Sequence, residues 1–197
     1  MVIGPFPMPS PEHMDRDFGP ESSPDLSRFL PGAGAHVGWQ PMRTDHRGYL
    51  DLAAVLRPRD NVVAYALCHV RSPIERDALL MVGSDDRLKL WLNGLLVRRS
   101  MAVRGASPDQ DRVPVHLKRG WNRLLAKVGQ GTGGWGLYMR MHDPDRVYHY
   151  SPHPPPGPLH SARPDSLSAR IYGTLPHRHV RQDDSPQLHL LHGRAGG

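Results

Sequence analysis

Residues 83–97 read GSDDRLKLWLNGLLV, and this stretch decides the fold. Between positions 88 and 92, leucines alternate with a lysine and a tryptophan, which is the period-two pattern of a strand with one buried face. The dipeptide Asn93-Gly94 follows, and both positions tolerate the positive φ angles that a two-residue hairpin turn requires. The stretch therefore predicts a β-hairpin whose first strand is preceded by two adjacent carboxylates.

Further short strands are predicted on both sides of this hairpin. VVAYALCHV, at 62–70, is apolar on both faces, as expected for a strand inside a sandwich. Three later segments, at 113–117, 121–128 and 135–141, also have strand patterns, whereas 48–56 predicts an extended start followed by a short helical turn. Because short strands with turn signals dominate and no long amphipathic helix is present, the predicted fold is an all-β antiparallel β-sandwich.

Composition divides the chain into a β-sandwich module at 1–147 and a tail at 148–197 rich in Pro, His and Arg. The tail has too little apolar surface to offset its chain entropy, so we predict that it is disordered. At the other end, Val2-Ile3 resembles the stub of an edge strand. We therefore expect the first strand to be clipped and the chain to come from a longer parent, whose other domains would be partners.

The net charge of +6 raises the question of nucleic-acid binding. No helix-turn-helix, RNA-recognition signature or zinc spacing is present, so only nonspecific binding by the basic surface and tail remains as an alternative. No apolar run reaches the ~20 residues of a membrane span, and the N-terminus lacks the layout of a signal peptide. We expect no membrane partner and no export signal in this polypeptide; a longer parent would be secreted or displayed on the cell surface.

Motifs for catalysis are lacking. The sequence has no Gly-x-Ser-x-Gly, no His-Glu-x-x-His and no nucleophile with a recognisable base. The glycine-rich GQGTGG joins two predicted strands and does not open a helix, which argues against a phosphate site. We therefore expect that the protein is not an enzyme. Cys68 is the only cysteine, and its strand position predicts core packing.

The hairpin and the later strands together resemble a known class of module. GSDDRLKLWLNGLLV followed by GWNRLLAKVGQGTGGWGLYMRM is similar to the non-catalytic jelly-roll modules of the galactose-binding-like superfamily, which accompany glycoside hydrolases and large secreted bacterial proteins. The Ser-Asp-Asp before an amphipathic strand is also similar to the PA14 sandwich of adhesins, glycosidases and toxins. The resemblance covers about residues 3–142 and implies a carbohydrate-binding or carbohydrate-associated accessory module. A purely structural or protein-interaction sandwich is the alternative.

The resemblance also implies a metal site. In sugar-binding PA14 adhesins, adjacent aspartates bind Ca²⁺, which in turn holds sugar hydroxyls, so Asp85 and Asp86 are the candidate calcium ligands here. Ca²⁺ prefers such oxygen ligands. The alternative is a turn interpretation, in which both side chains only accept backbone N–H groups in the turn before the strand. Asp109 and Asp111 form an Asp-x-Asp that could add to the site, although a polar loop also explains them. Arg87 stands where a glycine commonly follows the aspartates, and it could screen the site from a cation.

Aromatic residues provide a second possible mode of glycan recognition. Trp91, Trp121 and Trp135 could each stack on a sugar ring, although packing in the core or over a sheet is the favoured explanation for each of them. Asn93 is a candidate hydrogen-bonding residue and also the natural residue for the hairpin turn. The predicted ligand-binding set is Asp85, Asp86, Trp91, Asn93 and Trp135. Its predicted partner is a glycan or polysaccharide, with Ca²⁺ as the only cofactor.

Overall fold

The computed structural model describes residues 1–22, 24–57 and 60–153. The part of the predicted tail from residue 154 onward lies outside the described residues. Among those described, no helix is long and apolar enough to cross a membrane.

The elements of the described part are mostly strands. In chain order they are β1 (Val2–Pro7), a 3₁₀ helix (Pro11–Asp15), β2 (Leu30–Pro31), β3 (His36–Val37), β4 (Tyr49–Asp51), α1 (Leu52–Leu56), β5 (Val62–Ser72), β6 (Arg76–Asp85), β7 (Arg87–Leu92), β8 (Leu95–Ser100), β9 (Asp111–Leu117), β10 (Gly120–Gln130), β11 (Gly136–Met141) and β12 (His149–Ser151).

Two antiparallel sheets form the sandwich, which confirms the predicted all-β fold. The first sheet has the strand order β1-β5-β10-β7-β8, with β12 also paired to β5, and the second has the order β4-β11-β6-β9. Side chains from the inner faces of both sheets form the main core, including Leu88, Leu90 and Leu92 from β7 and Leu80 and Val82 from β6. The core therefore lies where the alternation of the hairpin strand predicts it.

The predicted hairpin is present. Strands β7 and β8 are paired with Leu92 opposite Leu95, and the turn between them consists of Asn93 and Gly94. Their φ angles are +53° and +88°, which is the left-handed region that this two-residue turn requires. The turn dipeptide therefore fixes the register of the central strands.

A second core lies on the outer face of the first sheet. The segment after β1 crosses this face and buries Met8, Met14 and Leu30 against Val63 and Tyr65 of β5. This cover explains why β5 is apolar on both faces. It also buries lysines that an outer sheet face would normally expose to water.

The sheet continues past the expected boundary at residue 147. Tyr148 is buried, and β12 pairs with β5 through the register Tyr150 opposite Val70. The beginning of the predicted tail thus belongs to the first sheet, because residues 149–151 extend an edge of β5 that β1 leaves unpaired.

Candidate functional site

Asp85 and Asp86 lie where the chain passes from one sheet to the other. Asp85 ends β6 in the second sheet, and β7 of the first sheet begins directly after Asp86. The peptide bond between the two aspartates is cis. The segment 101–110 and the loop 131–135 lie beside this junction. These elements form one loop end of the sandwich, which is called the loop end below.

Asp86 is a buried cross-link between loops. Its side chain is 4% exposed, and its carboxylate accepts hydrogen bonds from the backbone N–H of Arg104 at 3.1 Å and of Gly131 at 2.8 Å. Its own N–H donates to the carbonyl of Gly129 at 3.0 Å, and its carbonyl accepts from the Ser84 hydroxyl at 2.7 Å. The residue therefore ties three segments together, which is the structural role that the turn interpretation describes.

Asp85 has a different environment. Within the described residues its carboxylate has no hydrogen-bond donor and no cationic partner. Its Oδ2 lies so close to Gly134 that a Cβ there would overlap it, and it is only partly buried. Partial burial, and then the neighbouring charge of Asp86, raise the pKa of the Asp85 carboxyl. A positive ion or a hydroxyl donor beside Asp85 would stabilise the ionised form of this carboxyl.

An acid and a tyrosine extend the surface around Asp85. In the second sheet, Gly136 of β11 is paired with Asp51 of β4 on one side and with Asp85 of β6 on the other. The two acids therefore flank one glycine. The Tyr49 ring lies over this glycine, where a Cβ would overlap it, and it contacts the ring of Tyr138 at 4.8 Å between centroids. Burial, and then the charges of Asp51 and Asp85, raise the pKa of the Tyr49 hydroxyl. The result is an acidic surface with an aromatic pair beside it.

Asp109 and Asp111, which were predicted to contribute to a metal site, are both paired with arginines. Asp111 accepts from Arg98 at 2.8 Å and from Arg104 at 2.5 Å. Asp109 Oδ1 accepts a hydrogen bond from Arg140 Nε at 3.0 Å. Within the described part, no group of three or more His, Cys, Asp or Glu side chains could hold a metal ion. The four-acid calcium set therefore does not assemble, and only the adjacent aspartates remain.

Two of the predicted sugar-binding residues are engaged inside the protein. Trp135 is 1% exposed and its indole N–H donates to the carbonyl of Val128 at 3.3 Å, so it presents no face to a ligand. Asn93 is 7% exposed; its amide donates to Asn122 at 2.8 Å and accepts from the N–H of Arg123 at 2.9 Å. Trp135 and Asn93 therefore both take part in hydrogen bonds within the fold, and their role in sugar binding stays a prediction.

Trp91 lies away from the two aspartates. It points to the outer face of the first sheet, packs against the second core, and has the Lys89 ammonium 5.9 Å from its ring centroid. Trp121 occupies the same face further along, opposite Arg71 of β5. Trp91 and Trp121 therefore do not lie in one site with the two aspartates.

Arg87 does not neutralise the aspartates. Its guanidinium lies near Gly131, about 3.9 Å from the position of a Cβ there, but it forms no ion pair with Asp85 or Asp86 within the described residues. Reasoning from the sequence missed Tyr49 and Asp51. Their alternation in 49–52 was a strand signal, but only the pairing of β4 with β11 brings them to Asp85.

Comparison with known proteins gives only weak similarities. No protein-family model matches the chain, and no curated protein matches it. A β-glucosidase from Kluyveromyces marxianus, solved in complex with glucose, has a TM-score of 0.40 and 14% identity over 51% of this chain and 15% of that chain. An anti-sigma factor domain-containing protein has a TM-score of 0.44 and 16% identity over 62% of this chain and 45% of that chain. This chain spans less than half the length of either protein, and such likenesses carry no functional argument.

Proposed function

We propose that this chain is a non-catalytic accessory module of the galactose-binding-like or PA14-like kind, which binds a carbohydrate at the loop end around Asp85. The observation that carries the proposal is the Asp85 carboxylate, which is partly buried and has no hydrogen-bond donor or cation within the described residues. A sugar would supply hydroxyl donors to this carboxylate. Its apolar C–H face would pack on the Tyr49 ring beside it.

Calcium enters the proposal only through the adjacent aspartates. Burial and the charge of Asp86 disfavour the ionised form of Asp85, and a divalent cation there would reverse that effect. Asp86 already accepts two backbone N–H groups, yet each carboxylate oxygen has two lone pairs and retains acceptor capacity. Asp85, Asp86 and nearby backbone carbonyls would hold the ion, which would supply a bridge to sugar hydroxyls.

The test is glycan-array binding by the full chain, first with calcium and then with a chelator. The decisive variant is Asp85→Asn, which keeps the side-chain volume and removes the charge. Asp145→Asn is the matched control, because Asp145 is an exposed acid outside this loop end. We expect glycan binding that Asp85→Asn abolishes and Asp145→Asn leaves unchanged. Loss of glycan binding in the presence of the chelator would support the calcium bridge. Glycan binding that the chelator leaves unchanged would contradict a role for calcium.

A structural module is the second candidate, and the environment of Asp86 favours it. A carboxylate that joins two loops through their backbone N–H groups needs no ligand to explain it. A folded chain that binds no glycan on the array would support this candidate and contradict ours. Binding to DNA or RNA that falls steeply with salt would instead support the nucleic-acid alternative.

A further inference from the structure

A large cavity opens between the two sheets, at the edge formed by β5 and β11. Its volume is about 650 Å³, within the range of small-molecule sites. Inward-facing side chains of both sheets line it, with Ala66 and Cys68 on one side and Leu137 and Met139 on the other. The small residues of β5 account for the space, because they leave the larger side chains of β11 without a full-sized partner.

The strand topology places the mouth of the cavity at Cys68. Two short strands share the outer edge of β5. The pairing of β1 reaches the hydrogen bonds between Met1 and Leu67, and β12 ends with Ser151 opposite His69. Cys68 stands at the junction between them, and Met1 and Ser151 also line the cavity. The opening therefore follows from the way the sheet edge is completed.

The apolar part of the lining is rich in sulfur, and its remaining side chains are mainly aliphatic. Four of the chain's eight methionines contribute to it, namely Met1, Met42, Met139 and Met141, in addition to Cys68. Methionine side chains are flexible and polarisable, and proteins use them where a surface must adapt to apolar ligands of variable shape. Such a lining suits a flexible alkyl chain.

The polar groups of the lining are the segment 43–46, Arg140, the β12 end and the amino group of Met1, which donates to the carbonyl of Leu67 at 2.9 Å. Asp45 accepts hydrogen bonds from the N–H groups of Arg47 and Tyr49, both at 2.8 Å, and Arg140 is paired with Asp109. Arg43 is exposed, and within the described residues its side chain has no hydrogen bond or ion pair. Arg43 is thus a cation that remains available to an anionic group at the cavity.

We infer that this cavity binds a fatty acid or a similar single-chain amphiphile, with the alkyl chain between the sheets and the acid group at Arg43. The site is separate from the loop end around Asp85, and the inference does not depend on carbohydrate binding. Each buried methylene of the chain should tighten binding about fourfold through the hydrophobic effect. The interaction with exposed Arg43 adds a smaller term that selects an acid over an alcohol.

Cys68 offers a direct assay, because it is the only cysteine in the chain and its side chain is half-buried at the mouth. Burial raises the pKa of the Cys68 thiol to about 11, so the labelling is run at mildly alkaline pH. The full chain is treated with a small thiol reagent, methyl methanethiosulfonate, at increasing concentrations of dodecanoate. We expect the labelling rate to fall in proportion to the occupied fraction of the cavity.

Charge variants test the position of the acid group. Arg43→Glu should weaken dodecanoate binding about two- to fivefold and leave dodecanol binding unchanged, because only the acid interacts with the guanidinium. Arg47→Glu is the matched control: Arg47 lies in the same exposed turn but does not line the cavity. It should change neither affinity.

Three results would overturn the inference. The first is that the folded chain binds neither dodecanoate nor dodecanol in a calorimetric titration. The second is that dodecanoate binds without slowing the labelling of Cys68, which would place it elsewhere. The third is that Cys68 is labelled only after denaturation, which would mean that another part of the protein already covers the mouth. Equal effects of Arg43→Glu and Arg47→Glu would overturn the placement of the acid group.

Discussion

The ammonium of Lys127 lies 2.8 Å from Glu21 Oε1, and the Lys127 side chain is fully buried. The same nitrogen donates to the backbone carbonyls of Met14 at 2.9 Å and Arg16 at 2.6 Å, so its three N–H groups each have an acceptor. This arrangement joins the N-terminal segment to the centre of the first sheet. Burial lowers the pKa of Lys127, and its interaction with Glu21 opposes that shift.

Replacing Lys127 should therefore be costly. Lys127→Met removes the cation from a buried pair and leaves acceptors unpaired, and we expect a loss of about 3–5 kcal/mol in the free energy of unfolding. Lys89→Met is the comparison, because Lys89 is also buried but pairs at 2.6 Å with Asp15, whose side chain is 54% exposed and keeps the pair in contact with water. That pair should contribute about 1 kcal/mol or less. Denaturant unfolding measures both; equal losses would show that burial does not set the strength of these pairs.

The adjacent aspartates should differ sharply in their effect on stability. Asp86→Ala leaves two backbone N–H groups, those of Arg104 and Gly131, without their acceptor, and we expect a cost of about 2–4 kcal/mol. Asp85→Ala removes a carboxylate without such partners and should change stability by about 0.5 kcal/mol or less. Urea denaturation of the two variants without ligand is the measurement. A large loss for Asp85→Ala would contradict the environment described for it.

The hairpin turn should depend on an amide pair. Asn122 is fully buried and makes four hydrogen bonds, to Asn93, to the N–H and C=O of Lys118, and to the carbonyl of Gly120. Asn122→Ala removes them all, and we expect a loss of about 3 kcal/mol.

Asn93→Gly preserves the left-handed turn and loses only the side-chain bonds, so its cost should be about 1–2 kcal/mol. Asn61→Gly is the control, since Asn61 also has a positive φ, +56°, but is exposed. It should be nearly neutral in thermal and chemical unfolding. A neutral Asn122→Ala would contradict the importance of this amide pair.

His69 should make the protein less stable in mild acid. Its side chain is 1% exposed and its Nδ1 has no hydrogen-bond partner, and burial lowers the pKa of the imidazole below its usual value of 6.5. The unfolded chain therefore binds more protons than the folded one between the folded pKa and 6.5. Stability from this group is complete above pH 6.5 and declines as the pH falls through that window.

Thermal unfolding across this pH range, for the native chain and for His69→Phe, measures the effect. As the pH falls, we expect the native chain to lose more stability than His69→Phe does, because phenylalanine cannot take up a proton. Parallel curves for the two proteins would show that His69 does not contribute to the pH dependence.

Part of the candidate site could be predicted from local chemistry. The two acids in Ser-Asp-Asp stand before an alternating strand, and this placed Asp85 and Asp86 at the loop end. The same reasoning could not predict the burial of Trp135, because a tryptophan after a glycine-rich loop is compatible with either a buried or an exposed ring. It also could not predict the partners of Asp111, since the arginines that pair with it come from β8 and from the following segment.

The sequence by itself determined the sandwich and its central hairpin. Strand alternation has a fixed period of two and the Asn93-Gly94 turn has a local conformational requirement, so neither depends on distant contacts. Tertiary structure alone decided what each polar side chain does. The N-terminal segment buries Lys127, pairing of β4 with β11 brings Tyr49 to Asp85, and the junction of two short strands opens a cavity at Cys68. Each depends on residues far apart in the chain, whose proximity a local pattern does not encode.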